Sequence, residues 1–345
     1  MAPGGGGERG GAGAVRAAGL RGAPRVSPLP GAGTGAGNGR HGRLLRFSAV
    51  RIIPEGHERA MGSPHPHPPS PERAAEVRRR FAEEARSERP DLATLCLLLG
   101  AAADGSLDEA GIDAAQMELD RLAGQLPYRP GGPLAWATAA RRVLGERFGF
   151  QGAAADYQRL ESSLLHEVLR RRRGLPILLS VVWLEVTRRA GAPVYGVALP
   201  GHFVVGFGTA EEQVLADPFD GGRVLSGADT ELLVVGAAGV PLEPAMLQPA
   251  DPLDVVRRIL NNVRAWAAAR PERSDVGLWA VDLSLLLPSH PARLRYERAR
   301  LLVERGDFVD GAEELEEYAG LIDVVDEGAA EKVRGEARAA RARLN

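Results

Sequence analysis

The chain has 345 residues, 44% of them hydrophobic, 26% charged and 5% aromatic, with a formal net charge of −2. That balance excludes a global field for nucleic acid or an anionic membrane, and it leaves Ala and Leu to fill most of the core. One cysteine makes neither an intramolecular disulfide nor a cysteine zinc site, and no stretch reaches the roughly 18 uninterrupted apolar residues of a membrane span. The expectation is a cytoplasmic protein with no metal and no cofactor.

From Met1 to about Ser70 the chain is dominated by Gly, Ala, Pro and Arg, as in Gly4-Gly5-Gly6-Gly7 and His65-Pro66-His67-Pro68. Such a segment buries too little apolar area to offset chain entropy, so residues 1–70 are expected to form a disordered tail. Met61 stands as a later candidate start, and the His-Pro repeat reads as linker rather than as a metal site.

Helical periodicity begins near Pro71 and continues through Leu92 to Leu99, Ile112 to Leu122 and Leu134 to Phe148, which predicts three or four packed helices. Cys96 falls on the apolar face of the second, the place of a small buried hydrophobe rather than a reactive thiol. Ser162-Ser163 predicts the N-cap of a short helix with the stripe Leu164, Leu165, Val168 and Leu169. That helix closes at Arg170 to Arg173 and Gly174, where cations complement the helix dipole. His166, beside the arginines, reads as a surface residue. Pro176 suits the first turn of the next helix. The run from Ile177 to Val186 is apolar nearly all round, which predicts a buried central helix, with Ser180 a core serine bonded to its own helix.

Past Gly191 the period changes to that of strands, over Val194 to Leu199, Phe203 to Phe207 and Val214 to Asp217, the last two forming a hairpin. If Phe207 pairs with Val214, Val204 faces Asp217, and His202 lies diagonal to that carboxylate within hydrogen-bonding reach. Asp220 and Gly221-Gly222 predict the turn that follows. From Asp251 the pattern is helical again. Ala280, Leu283 and Leu286 are echoed by Ala312, Leu315 and Tyr318 at an offset of 32, close to the period of about 34 of tetratricopeptide helix pairs. Too few copies exist for a free-standing solenoid, so these helices are expected to pack on the central domain.

Three motifs now occur in order: Leu165-His166-Glu167-Val168-Leu169 with the arginines and Gly174-Leu175-Pro176-Ile177 after it, Leu199-Pro200-Gly201-His202-Phe203, and Asp217-Pro218-Phe219-Asp220-Gly221-Gly222. Together they resemble the bacterial SirB-type family, transglutaminase-like proteins with a tetratricopeptide-like C-terminal extension. The resemblance implies an α+β fold with a papain/transglutaminase-like core of one central helix and a small antiparallel sheet. That core, with its N-terminal helices, is expected over 71–245, and the helical tetratricopeptide-like region over 246–345. In active members of the wider superfamily a Cys at the start of the central helix is the nucleophile, a His on the sheet its base and an Asp the group that orients the His. His202 and Asp217 match the last two, whereas the Cys position falls on or beside Pro176. The family also tends to carry an Asn-Ser pair and an Asn where this chain has Ser162-Ser163 and His166.

The leading functional expectation is a binding or regulatory protein without a nucleophile. His202 and Asp217 are its catalytic-type candidates, and Arg171, Arg172, Arg173, Pro176 and Ser180 its ligand-binding candidates, because arginines near a helix N-terminus favour anions. A protein or peptide partner or a small anionic ligand is expected, not nucleic acid or a membrane. Two alternatives stand beside it. One is a hydrolase or amidase in which His202 activates water or Ser180 while Asp217 holds the ring. The other is a scaffold whose C-terminal helices carry the function, the His–Asp pair being structural.

Overall fold

The computed structural model describes residues 66–209 and 212–344, so most of the tail expected over 1–70 lies outside the described residues. Pro66 to Ser70 lie against the turn at Gly105, whose N–H donates to the His67 carbonyl at 2.7 Å. Three helices follow, each opened by a side-chain oxygen that accepts a first-turn N–H. Ser70 caps α1 (Pro71–Ala85), Asp91 caps α2 (Leu92–Ala103) and Asp108 caps α3 (Glu109–Ala123). All of α2 except Thr94 is buried, Cys96 included.

The fourth helix, α4 (Pro133–Ala140), widens into a π-helical segment over Arg141–Arg147. Two 3-10 turns, Ala154–Gln158 and Leu160–Ser163, then lead into α5 (Leu165–Arg171). The expected serine cap is not formed. Ser162 and Ser163 belong to the second turn, the N-cap position is Leu164 with no side-chain bond, and Ser162 Oγ instead lies 3.3 Å from Asp156 Oδ1. Nor does Gly174 end α5. Arg172 does so in the left-handed region at φ 60°, while Gly174 is needed for packing, since a Cβ there would stand 2.6 Å from Val168.

Helix α6 (Pro176–Arg189) is buried continuously from Pro176 to Thr187, as its unbroken apolar run predicts. It packs on an antiparallel meander in the order β1 (Val194–Val197), β2 (Val204–Gly208), β3 (Gln213–Asp217), β4 (Arg223–Leu225). Phe207 pairs with Val214, the register read from the sequence. β4 is a strand that the sequence reading did not anticipate. Side chains alternate as a pleated sheet requires: Val205, Phe207 and Ala216 join the core with α6. Val204, Leu215 and Leu225 join Val234 of α7 (Gly227–Ala238) on the other face.

The turn after β3 is seated by close backbone approach. A Cβ on Gly145 of the π-helical segment would lie 2.0 Å from the Gly221 carbonyl. Gly222, at φ 84°, packs against Arg141 Cα and Trp183 Nε1, each 3.2 Å from where its Cβ would be.

The core does not stop at the division expected at 245/246. Val256, Ile259 and Val263 of α8 (Pro252–Ala268) and Val276, Ala280 and Leu283 of α9 (Ser274–Leu286) share it with α2 and α6. Helices α10 (Arg293–Arg305), α11 (Phe308–Ile322) and α12 (Glu327–Ala342) enclose a second, alanine-rich core around Ala299, Leu315 and Val333. Helix starts recur at 34 residues, Ser274 to Phe308 and Arg293 to Glu327. The apolar echo at 32 is therefore two residues out of register. The buried equivalents are Gly277 with Gly311, Val281 with Leu315 and Ala299 with Val333. Both glycines let their helix approach α10, at Leu301 and at Ala299 with Val303.

A Gly145→Ala change is expected to destabilise the protein by about 1–3 kcal/mol in urea unfolding, because the Gly221 carbonyl has to move. Gly236→Ala, in the last turn of α7 with nothing within 4 Å of the added Cβ, is expected to gain about 0.5–1 kcal/mol. Equal effects at the two positions contradict the packing described.

Candidate functional site

His202 lies two residues before β2, and Asp217 is the last residue of β3. Asp217 is only 4% exposed. Its Oδ2 is 3.0 Å from His202 Nε2, and its Oδ1 accepts the Phe219 N–H at 2.9 Å. In the neutral ring this contact assigns the proton to Nε2 and leaves Nδ1 as an acceptor. Phe219 stands edge-on to the imidazole at 6.1 Å between centroids, and Tyr157 edge-on to Phe219 at 6.0 Å. A single such hydrogen bond contributes about 1 kcal/mol net, while leaving one partner buried and unpaired costs about 1–3 kcal/mol. Burial therefore holds the pair together more than the bond itself does.

The His202 ring borders a cleft of about 310 Å³ that Pro176 also lines. Pro176 is the first residue of α6, and the N-cap residue Leu175 offers no side-chain bond. The first helical hydrogen bond runs from Leu179 N–H to Leu175 O, so the amides of Ile177 and Leu178 lack a helical acceptor. On the same cleft is Ser163, 3% exposed, whose hydroxyl has no hydrogen-bond partner among the described residues.

The opposite wall is α8. Arg258, Asn262, Ala265 and Trp266 all line the cleft, and their spacing of four, three and one puts them on one helical face. Arg258 Nη2 donates to the His202 carbonyl at 2.8 Å, and its guanidinium sits 5.7 Å over the Phe203 ring. Burial lowers its pKa, and no carboxylate among the described residues pairs with it. Tyr157, also on the cleft, has its pKa pushed up by burial and then by Asp217. Trp266 Nε1 donates to Gln158 O at 3.0 Å and Arg270 Nη2 to Gln158 Oε1 at 2.7 Å, which fastens α8 to the Ala154–Gln158 turn.

Of the residues singled out from sequence, His202, Asp217 and Pro176 come together. Ser180 does not join them. It is fully buried, and its Oγ donates to Phe203 O at 3.1 Å, a cross-link to the sheet rather than the bond to its own helix that was expected. The arginine run is engaged elsewhere and borders no part of the cleft. Arg171 Nη2 and Arg173 Nε lie 3.4 and 3.8 Å from the buried Asp156. Arg172 reaches Glu118 at 2.6 Å and stacks 4.6 Å over Phe150. Cys96 is sealed at 1% exposure, and burial, with Glu185 and Asp91 nearby, pushes its thiol far above the usual range. Among the described residues no cluster of His, Cys, Asp and Glu is arranged to hold a metal ion, and no helix is long and apolar enough to cross a membrane. Arg258, Asn262, Trp266 and Ser163 were missed in the sequence reading. The one available signal was the polar stripe on α8 opposite its buried face.

Residues 113–261 match the family profile described as the transglutaminase-like superfamily, and residues 263–345 the one described as the tetratricopeptide repeat. The chain thus joins a transglutaminase-like domain to C-terminal tetratricopeptide helices in an α+β fold. It is 34% identical over 189 residues to a UPF0162 protein of Xylella fastidiosa, covering 53% of this chain and 66% of that one, just under two thirds of the relative's length. It is 26% identical over 178 residues to human F-box only protein 21, covering 49% of this chain and 28% of that protein. A crystal structure of menin overlaps 80% of this chain and 69% of its own at a TM-score of 0.37 and 17% identity.

His166, expected on the surface, is nearly buried at 12% side-chain exposure. Gly100 makes room for it, since a Cβ there would lie 2.6 Å from its Nδ1. Its Nε2 is 3.7 Å from Asp104 Oδ2, an ionic approach longer than a hydrogen bond. The imidazole, together with the Ser106 donors and against the effect of burial, holds the Asp104 carboxyl at about 2. A carboxyl lowered on folding contributes stability above its unfolded pKa of about 4 and loses it as pH falls toward 2. Asp104→Asn is therefore expected to lower stability by about 1 kcal/mol near pH 6, once solvent screening is allowed for. The gap should close between pH 4 and 2, as followed by urea midpoints. A gap constant over that range contradicts the pairing.

Proposed function

We propose that this chain is a transglutaminase-like binding or regulatory protein that keeps the cleft of an acyl-transfer fold and lacks its nucleophile. The SirB-type resemblance is part of that reading. The observation that carries it is Pro176 at the head of α6, in the cleft bordered by a His202 ring that Asp217 orients. A thiol at a helix N-terminus beside an imidazole loses its proton readily and attacks carbonyls. A pyrrolidine ring has no atom for that step. What remains is a concave lining of aromatic side chains with a few polar groups, the composition of a binding pocket. With the tetratricopeptide helices continuing beyond it, the ligand is a protein or peptide segment, bound in the cytoplasm without a cofactor.

A second reading, a hydrolase or amidase, has one specific support. Ser180 is too deeply committed to serve, but the unpaired hydroxyl of Ser163 borders the same cleft as His202.

The test compares the wild-type chain with Pro176→Cys under a chloroacetamide probe and a fluorophosphonate probe, read by intact mass. The binding reading expects no adduct on the wild type with either probe, Cys96 being sealed. It expects chloroacetamide labelling of the variant at least tenfold faster than of a free thiol. A fluorophosphonate adduct on wild-type Ser163 establishes the hydrolase reading instead, and a variant thiol no faster than a free one removes the idea of a preserved cleft.

A further inference from the structure

The cleft holds three kinds of unanswered donor. The first is the start of α6, a 14-residue helix with no side-chain cap, where Ile177 lines the cleft and its amide lacks a helical acceptor. The second, independent of it, is Ser163, a residue 97% buried that opens on the cleft and whose hydroxyl has no partner among the described residues. A polar side chain so deeply placed is normally satisfied within the protein, so an empty bond here marks a place for something else. The third is Arg258, of whose five N–H groups one is committed to the His202 carbonyl. With no carboxylate among the described residues for a partner and partial burial working against its charge, the guanidinium is open to an anion.

Charge and shape narrow the ligand. One half-buried guanidinium and the roughly half-unit positive charge of a helix end, set against the Asp217 carboxylate behind the His202 ring, leave room for at most a single negative charge, not the dianion of a phosphate monoester. The exposed Arg159 at the rim is screened and adds little. The flanking surfaces are the rings of Tyr157, Trp266 and Phe203, with Ile177, and at about 310 Å³ the cleft is at the low end for small-ligand pockets. We propose that it takes a carboxylate on an apolar or aromatic stem, and that the C-terminus of a peptide is the form in which a protein partner presents it. Arg258 and Ser163 hold the carboxylate oxygens at the α6 N-terminus, and the aromatic walls take the last side chain. This assignment rests on the binding function proposed above and specifies which end of the ligand is recognised.

The experiment titrates acetyl-Gly-Gly-Phe as its free acid, the same peptide as its C-terminal amide, and inorganic phosphate into the full chain, by calorimetry and by NMR of the His202 ring. The acid is expected to bind and shift the ring, the amide at least tenfold more weakly, and phosphate not to displace the acid. Ser163→Ala should weaken the acid three- to tenfold. Arg258→Gln, which keeps a donor for the His202 carbonyl, should reduce the acid-over-amide preference to under twofold. Arg258→Lys should retain most of that preference, and unchanged melting temperatures of the three variants exclude misfolding as the cause. Acid and amide binding alike, with His202 shifted by both, overturns the carboxylate assignment and leaves the binding function standing. Displacement by phosphate overturns the single-charge argument. Binding of neither peptide overturns the assignment too, while the Pro176→Cys labelling reports separately on whether the cleft is intact.

Discussion

Everything at the cleft depends on one buried carboxylate. Asp217 receives the His202 ring on one oxygen and the Phe219 amide on the other, so a single side chain sets the imidazole's tautomer and the path of the backbone leaving β3. That path has little freedom elsewhere. Gly221 and Gly222 turn in the left-handed region against the π-helical segment. The Phe219 ring leaves no room for a Cβ on Gly152, which would come within 1.9 Å of it. The Phe219 carbonyl in turn accepts the Gly152 N–H at 2.9 Å. The ring so held presents its face or edge to both His202 and Tyr157. The geometry of the cleft is thus set by backbone contacts at three glycines and by one carboxylate, not by the strength of any exposed ion pair.

The cleft itself is made by segments distant in sequence. Its floor is the uncapped start of α6, its sheet side the loop before β2, and its far wall a face of α8. The α8 wall is held from behind by α9 and the main core, through Val256, Ile259 and Val276. The first tetratricopeptide-like helix is therefore part of what shapes the pocket, whereas α11 and α12 extend a separate small core away from it.

How much of this was legible in the sequence follows from the range of each interaction. The Phe207–Val214 register and the Asp217 turn are local: strand alternation and two glycines suffice to read them. The all-apolar run of α6 announced its burial for the same reason. What escaped depends on partners that strand alternation and helix period do not reveal. Ser162-Ser163 carry a good capping signature, yet Asp156, six residues earlier, competes for Ser162 and the chain folds into a 3-10 turn instead. The arginines after α5 looked free for an anion because Asp156 and Glu118, which take them up, are distant in sequence. His166 looked exposed because nothing local shows that Gly100 of α2 clears a space for it. Arg258 resembles any charge on an amphipathic helix until the β1–β2 loop is placed beside it. The repeat was visible but slipped by two residues, since alanine-rich helices offer several near-equivalent apolar registers.

The site requires an imidazole held through Nε2 by Asp217 with Nδ1 turned to the cleft. A long-range ¹H–¹⁵N spectrum of the histidine rings, recorded where the His202 ring is neutral, tests that directly. It should show His202 with a proton-bearing Nε2 and an unprotonated Nδ1, and the Nδ1 signal alone should move when a peptide occupies the cleft. A protonated Nδ1 in the neutral ring, or an Nε2 that exchanges freely with solvent, would place the carboxylate elsewhere and contradict the site described.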